Sequence, residues 1–262
     1  MQHVVVNGVR IACEVAGQGP ALLLLHGLGG SRDDWRRQVP EFCRHFRVVA
    51  PDLRGFGGSE RQEPYTIQQH ARDADALLQA LGLPRAHVVG LSMGGAIAME
   101  LALTRPERVA SLVLANTAPS FELHGWQRRY MGLSRLLLAA LFGVGGVARM
   151  FGKAVFPAPH QERLRRRLMQ RASHTSRWVS IASIRSLVRW NAEDRLGSIA
   201  SPTLVIGAEH DYTDIHEKRR WAALIPDARV VMLPGSRHRS ELDAPEAFNE
   251  AVLRFLGPLQ GE

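Results

Sequence analysis

Two hydrophobic periods alternate along this chain. Short runs that are apolar almost throughout, Ala21 to Leu25, Val48 to Ala50, His87 to Leu91 and Val109 to Ala115, have the length and composition of strands buried on both faces. Between them, apolar residues recur three and four apart. They do so within 32–46 (Trp35, Val39, Phe42, Cys43, Phe46), from Thr66 to Leu81 and from Met93 to Leu103, which predicts helices. Strand, helix, strand in repetition implies an α/β fold with a mostly parallel sheet. At the start, Val4 to Val6 and Val9 to Val15 flank Asn7-Gly8, a pair suited to positive φ, so an antiparallel hairpin is expected at one sheet edge. The alternation stops after Pro119. Up to about Ile199 only helical patterns occur, including Arg163 to Met169 and Trp178 to Trp190. Strand signals resume at Thr203 to Ile206 and Arg229 to Leu233, with helices expected at His216 to Leu224 and Pro245 to Leu256. The pattern therefore predicts a core of residues 1–117 and 200–262 interrupted by a helical insertion, 118–199.

Composition narrows the function. With 262 residues, 45% hydrophobic and 22% charged, the chain has ordinary globular composition and can bury a large core without disulfide or metal. Cys13 and Cys43 form no CxxC or Cys/His ligand spacing, which speaks against a zinc site and a disulfide-dense secreted scaffold, so a cytoplasmic location is expected. The opening MQHVVVNGVRIACEV lacks the features of a signal peptide. The apolar run Leu136 to Ala148 falls well short of the roughly 20 residues that span a bilayer, so no membrane span is expected. Charge is uneven: of a net +8, residues 121–195 carry 14 Arg or Lys against 4 Asp or Glu. An anionic substrate, an acidic surface or an Arg-rich solvated helical region would each account for that excess. No RNP aromatics, zinc-finger spacing or basic recognition helix accompanies it, so no nucleic-acid partner is expected.

The segment His87-Val88-Val89-Gly90-Leu91-Ser92-Met93-Gly94-Gly95 carries the chemistry, because a buried strand enters a G-x-S-x-G and a helix leaves it. That context makes Ser92 a candidate nucleophile. Gly90 and Gly94 are required where strand and helix come too close for a Cβ. A serine needs a base and an acid to orient that base. His238 follows the last predicted strand, at the edge of the sheet where Ser92 should stand. Asp211 follows the strand Thr203 to Ile206 at the same edge, with Asp214 and Glu209 as rivals for the acid.

In this chain order of serine, acid and histidine, the sequence resembles the α/β-hydrolase-fold serine hydrolases over almost its whole length. Residues 118–199 correspond to the variable helical cap, or lid, of that family. YTIQQHARDADALLQALGL and GLSMGG look like the branch of enol-lactonases, small esterases and cofactor-free haloperoxidases. By the same resemblance His26-Gly27-Leu28-Gly29-Gly30 is an oxyanion loop, in which the amides of Leu28 and Met93 face the carbonyl oxygen and His26 holds the loop. Asp52-Leu53-Arg54-Gly55-Phe56-Gly57-Gly58-Ser59 matches a family segment that is structural, and Asp194 stands where the family often has an acidic residue at the cap hinge. Phe56, Trp126, Met131, Phe142 and Trp190 are candidates to face a substrate, although core packing is the commoner role of such residues. His210 and His216 lack a third ligand, so no metal is expected, and no cofactor. The activity implied is hydrolysis of a small carboxylic ester through an acyl-enzyme. Alternatives are a lactonase acting on a small, anionic lactone, a perhydrolase or haloperoxidase side activity, a C–C bond hydrolase, and a ligand-binding protein without turnover. Ser92 stands where the haloalkane dehalogenases and epoxide hydrolases of this fold have a carboxylate nucleophile, so those activities are not expected.

Overall fold

A computed structural model of the chain describes residues 1–121, 152, 153 and 155–259. Eight strands, β1 (Gln2–Val6), β2 (Val9–Ala16), β3 (Ala21–Leu25), β4 (Arg47–Pro51), β5 (Ala86–Leu91), β6 (Val109–Ala115), β7 (Thr203–His210) and β8 (Ala228–Arg237), form one sheet in the order β1-β2-β4-β3-β5-β6-β7-β8. β1 and β2 run antiparallel to their neighbours, and the pairs from β4 to β8 are parallel. The hairpin turns at Asn7 (φ 50°) and Gly8 (φ 76°), the two left-handed positions that Asn-Gly supplies at little cost.

The apolar strands use both faces. Leu23, Leu25, Val88, Leu112, Leu114 and Val205 pack with helices α2 (Ile67–Ala80) and α3 (Met93–Thr104). Leu22, Leu24, Val89, Leu91, Val113 and Ile206 face the other way, onto Trp35, Phe42, Phe46, Phe248 and Val252. The period-2 alternation thus divides one hydrophobic run between two cores. α2 opens on Thr66, whose Oγ1 accepts the Gln69 N–H at 3.1 Å.

The single helix expected within 32–46 is broken into a 3₁₀ turn (Arg32–Trp35) and the short α1 (Val39–Phe42). Pro40 has no N–H and its ring clashes with the preceding turn, so the helix can only restart with Pro40 in its first turn. Between β6 and β7 lie α4 (Glu162–His174) and α5 (Arg177–Arg189), and Ser120 bridges Asn191 where the two ends of this stretch meet. Trp126, Met131, Phe142 and the run Leu136 to Ala148 lie outside the described residues. β7 is followed by α6 (Ile215–Ala222), and β8 by α7 (Ser240–Asp243) and α8 (Pro245–Leu256). Among the described residues no helix is long and apolar enough to cross a membrane.

Candidate active site

The turn from β5 into α3 places Ser92 at φ 53° and ψ −117°, a left-handed strained conformation for a residue with a side chain. The crowding read from the sequence is present. A Cβ on Gly90 would lie 2.3 Å from the Gly94 carbonyl oxygen, and one on Gly94 would lie 2.1 Å from that of Leu25. The Ser92 N–H donates to the Ala115 carbonyl at 2.9 Å, which locks the turn to β6.

β7 and β8 run further than expected. Gly207, Ala208 and His210 of β7 and Arg237 of β8, beyond the strand ends read from the sequence, continue the pairing, with His210 paired to Arg237. A bulge between Ala208 and His210 takes up the change of register, so the strands remain paired up to the residues before Asp211 and His238. That extension brings three side chains together. His238 Nε2 is 3.1 Å from Ser92 Oγ, and His238 Nδ1 is 2.6 Å from Asp211 Oδ1. The rivals for the acid are otherwise engaged. Asp214 caps α6 by accepting the Glu217 N–H at 2.8 Å, and Glu209 accepts the Gly235 N–H at 2.7 Å.

Asp211 is bound on both oxygens. Oδ1 also accepts the Tyr212 N–H at 2.8 Å, and Oδ2 takes the ammonium of Lys218 at 2.9 Å. Burial alone would raise its carboxyl; His238 and Lys218 outweigh burial and hold it well below the usual carboxylate range. It is therefore charged at neutral pH and can orient an imidazole and stabilise an imidazolium.

The glycine-rich loop after β3 lies against this turn, with the Cβ position of Gly27 3.4 Å from Ser92 Cβ. Among the described residues neither the Leu28 nor the Met93 amide has an acceptor, and Met93 opens α3, where the first N–H groups are free by construction. His26 holds the loop from beneath: Nδ1 donates to the Gly27 carbonyl at 2.8 Å and Nε2 accepts the Leu53 N–H at 3.0 Å. Burial lowers its pKa, in keeping with this neutral tautomer.

Residues 20–245 match the family model of the alpha/beta hydrolase fold. The chain belongs to that family. The hydrolase is 35% identical over 261 residues to a protein from Caulobacter sp. (strain K31) named as a carbamate hydrolase, RutD, covering 93% of this chain and 94% of that one. The crystal structure of the enol-lactonase from Burkholderia xenovorans LB400 superposes with a TM-score of 0.89 at 27% identity, over 98% of this chain and 100% of that one. A thermophilic esterase from Thermogutta terrifontis gives 0.86 at 26% identity, covering 99% and 100%.

Phe56 and Trp190, read from the sequence as candidates to face a substrate, are 1% and 3% exposed in the hydrolase. Phe56 meets the His26 ring edge-on at 5.7 Å, and the Trp190 indole N–H donates to Glu100 Oε2 at 2.9 Å. Both are core residues, because each has a full set of neighbours under the loops that carry it. Sequence reading missed others. Asn116, at φ 46° just past β6, donates through Nδ2 to the His238 carbonyl (3.0 Å) and to Ser240 Oγ (2.7 Å), and Thr117 Oγ1 donates to the Ser92 carbonyl (2.8 Å). These two bridge the Ser92 turn and the His238 loop. The signal was a polar Asn-Thr pair ending a buried strand that lies between β5 and β7. The Tyr212 ring lies 4.5 Å from that of His238, which no pattern in the chain foretells.

Arg239, next to His238, is buried between Asp34 (2.8 Å) and Glu241 (2.5 Å), while Asp34 accepts the Ser31 N–H at 3.3 Å. The glycine-rich loop and the histidine loop are thus tied by three buried charges. Burial pushes the Glu241 carboxyl up to about 7; Arg239 pulls it down and Asp34 adds to the rise. Because the folded state holds this proton more tightly than the unfolded chain, the stabilisation is full below the unfolded pKa and is lost as pH climbs through about 7. The melting temperature is expected to fall between about pH 5 and pH 8, and Glu241→Gln to flatten that fall. Parallel melting curves for the two proteins across that range would contradict the assignment.

Proposed function

We propose that the hydrolase cleaves carboxylic ester bonds of small substrates through an acyl-enzyme on Ser92. The observation that carries this reading is the 3.1 Å approach of His238 Nε2 to Ser92 Oγ, with Asp211 on the other ring nitrogen. Nε2 accepts the Ser92 proton as Oγ attacks the carbonyl carbon, while Asp211 holds the Nδ1–H tautomer. The amides of Leu28 and Met93 bind the oxygen as it becomes an oxyanion. The imidazolium then passes its proton to the departing alkoxide, which leaves as the alcohol. Water, deprotonated by the same nitrogen, attacks the acyl carbon and frees the acid and Ser92. In this reading the insertion between β6 and β7, to which α4 and α5 belong, serves as the lid of the site, and no metal or organic cofactor takes part.

The test is to trap the intermediate. Mixing with p-nitrophenyl acetate and quenching in acid is expected to leave one acetyl group on the peptide that contains Ser92, read by mass spectrometry. Product release with no label there would overturn the reading, and a stoichiometric burst with no turnover would make the protein a ligand-binding one.

A second reading, a lactonase for a carboxylated lactone, is favoured by one feature. Arg36 and Arg167, with Arg239 that is itself paired to Asp34 and Glu241, stand in the wall of a small cleft beside Gly29. Such a field draws in an anion and weakens with salt. Neutral esters of graded length, a carbamate ester and carboxylated lactones, compared at low and high salt, separate the readings. Preference for short neutral esters supports the first. Preference for the anionic lactone that fades at high salt replaces it with the second.

A further inference from the structure

Lys218 has no place in the cycle above. It is fully buried, and its ammonium is held by Asp211 Oδ2 at 2.9 Å and by the Thr213 hydroxyl. Three observations argue that it is there for the site. The chain has 33 basic residues, of which only Lys153 and Lys218 are lysines, so a compact ammonium stands here in a sequence that otherwise uses arginine. β7 makes room for it: a Cβ on Gly207 would lie 2.9 Å from Lys218 Cδ and 3.2 Å from Cε. Finally, burying an ion pair is a poor source of stability, since an apolar side chain of the same shape usually serves as well.

We propose that Lys218 is a positioning residue for the hydrolysis: it fixes the second oxygen of Asp211 and offsets the carboxylate's charge, so that His238 stays a neutral proton acceptor to lower pH than Asp211 alone would allow. The inference rests on the reading of Ser92, His238 and Asp211 as the reacting groups. The remaining charged or titratable groups around the pair are already occupied or only stack. Glu209, Asp214 and Asp243 accept the backbone N–H groups of Gly235, Glu217 and Arg237, Arg239 sits between Asp34 and Glu241, and Tyr212 covers the imidazole with its ring. His210 and Arg237 pair through the strand ladder, and His216 and Glu217 lie in the first turn of α6. Among the described residues Lys218 is the only cation, apart from His238 when protonated, paired with Asp211.

The test is the pH profile of kcat/KM for ester hydrolysis by the full chain and by Lys218→Met and Lys218→Gln. A unit charge removed at this range from the imidazole is expected to move the acid limb about one pH unit upward in both variants. Glutamine, which keeps an N–H for Asp211, is expected to hold a higher plateau than methionine. Limb position does not depend on how much protein folds, and acyl-burst titration counts the competent sites. Gly207→Ala, which crowds the lysine while leaving it in the chain, is expected to move the limb the same way by less. An acid limb that stays in place or moves downward in both Lys218 variants, in a protein whose Ser92 acetylates, overturns the role of Lys218 alone. A wild-type protein that forms no acyl-Ser92 overturns the underlying reading instead.

Discussion

Replacing Ser92 with alanine is expected to lower turnover of a small ester roughly a million-fold, a loss of about 8 kcal/mol of transition-state stabilisation. The size follows from the geometry. The Ser92 hydroxyl stands 3.1 Å from His238 Nε2, and alanine leaves that nitrogen, among the described residues, with no hydroxyl to deprotonate. His238→Ala is expected to lose as much, and the double variant no more than either single one, because the two act as one unit. Whatever rate is left is expected to come from binding and, in the proposed mechanism, from the amides of Leu28 and Met93. The fold should survive: Ser92 makes its structural bonds with its backbone, the N–H to Ala115 and the carbonyl to Thr117, Gly95 and Ala96. The backbone strain at φ 53° is the same for alanine. Steady-state hydrolysis of p-nitrophenyl acetate, with the melting temperature as a folding control, is the measurement. A folded Ser92→Ala protein within tenfold of wild type would remove serine acylation from consideration.

How much of this was legible in the chain depends on the range of the interaction concerned. Gly90, Gly94 and the apolar runs on either side of Ser92 carry their reasons locally, so the strained turn at Ser92 could be read from nine residues. Asp211 and His238 could be placed by topology, because strands of a parallel sheet end at one edge. The lengths of β7 and β8 could not, since a ladder that continues across Pro234-Gly235 depends on a register only pairing with His210 reveals. Asn116, Tyr212 and Lys218 were missed for a related reason. Each acts through a contact with a loop that other strands deliver, and nothing in its own neighbourhood marks it. Phe56 and Trp190 were read as possible pocket walls because hydrophobicity is the same signal for a pocket and a core; only their burial separates the two.

Cutting the pair Arg54–Asp73 is expected to destabilise the fold by about 3–5 kcal/mol, the cost of leaving one charge buried without its partner. Arg54 Nε and Nη2 reach the two oxygens of Asp73 at 2.6 and 2.8 Å, a two-pronged bond whose side chains are 2% and 7% exposed. Asn7 and Gln69 donate to the same carboxylate at 2.8 and 2.9 Å, so Asp73 gathers the N-terminal hairpin, the segment after β4 and α2. Arg54→Leu leaves that carboxylate short of its cation, and Asp73→Leu leaves a guanidinium with, among the described residues, only the Gln62 carbonyl at 3.3 Å. Either variant is expected to lower the melting temperature by roughly 10 °C. Replacing both together is expected to cost less than the sum, because no charge is then stranded. Turnover per burst-competent site should stay close to wild type, since among the described residues Arg54 is linked to the glycine-rich loop through Leu53 and His26. Urea unfolding followed by two probes would decide it. Single variants that lose under about 1 kcal/mol, or a double variant that loses the full sum, would show the pair to be an ordinary surface contact in its energetics despite its burial.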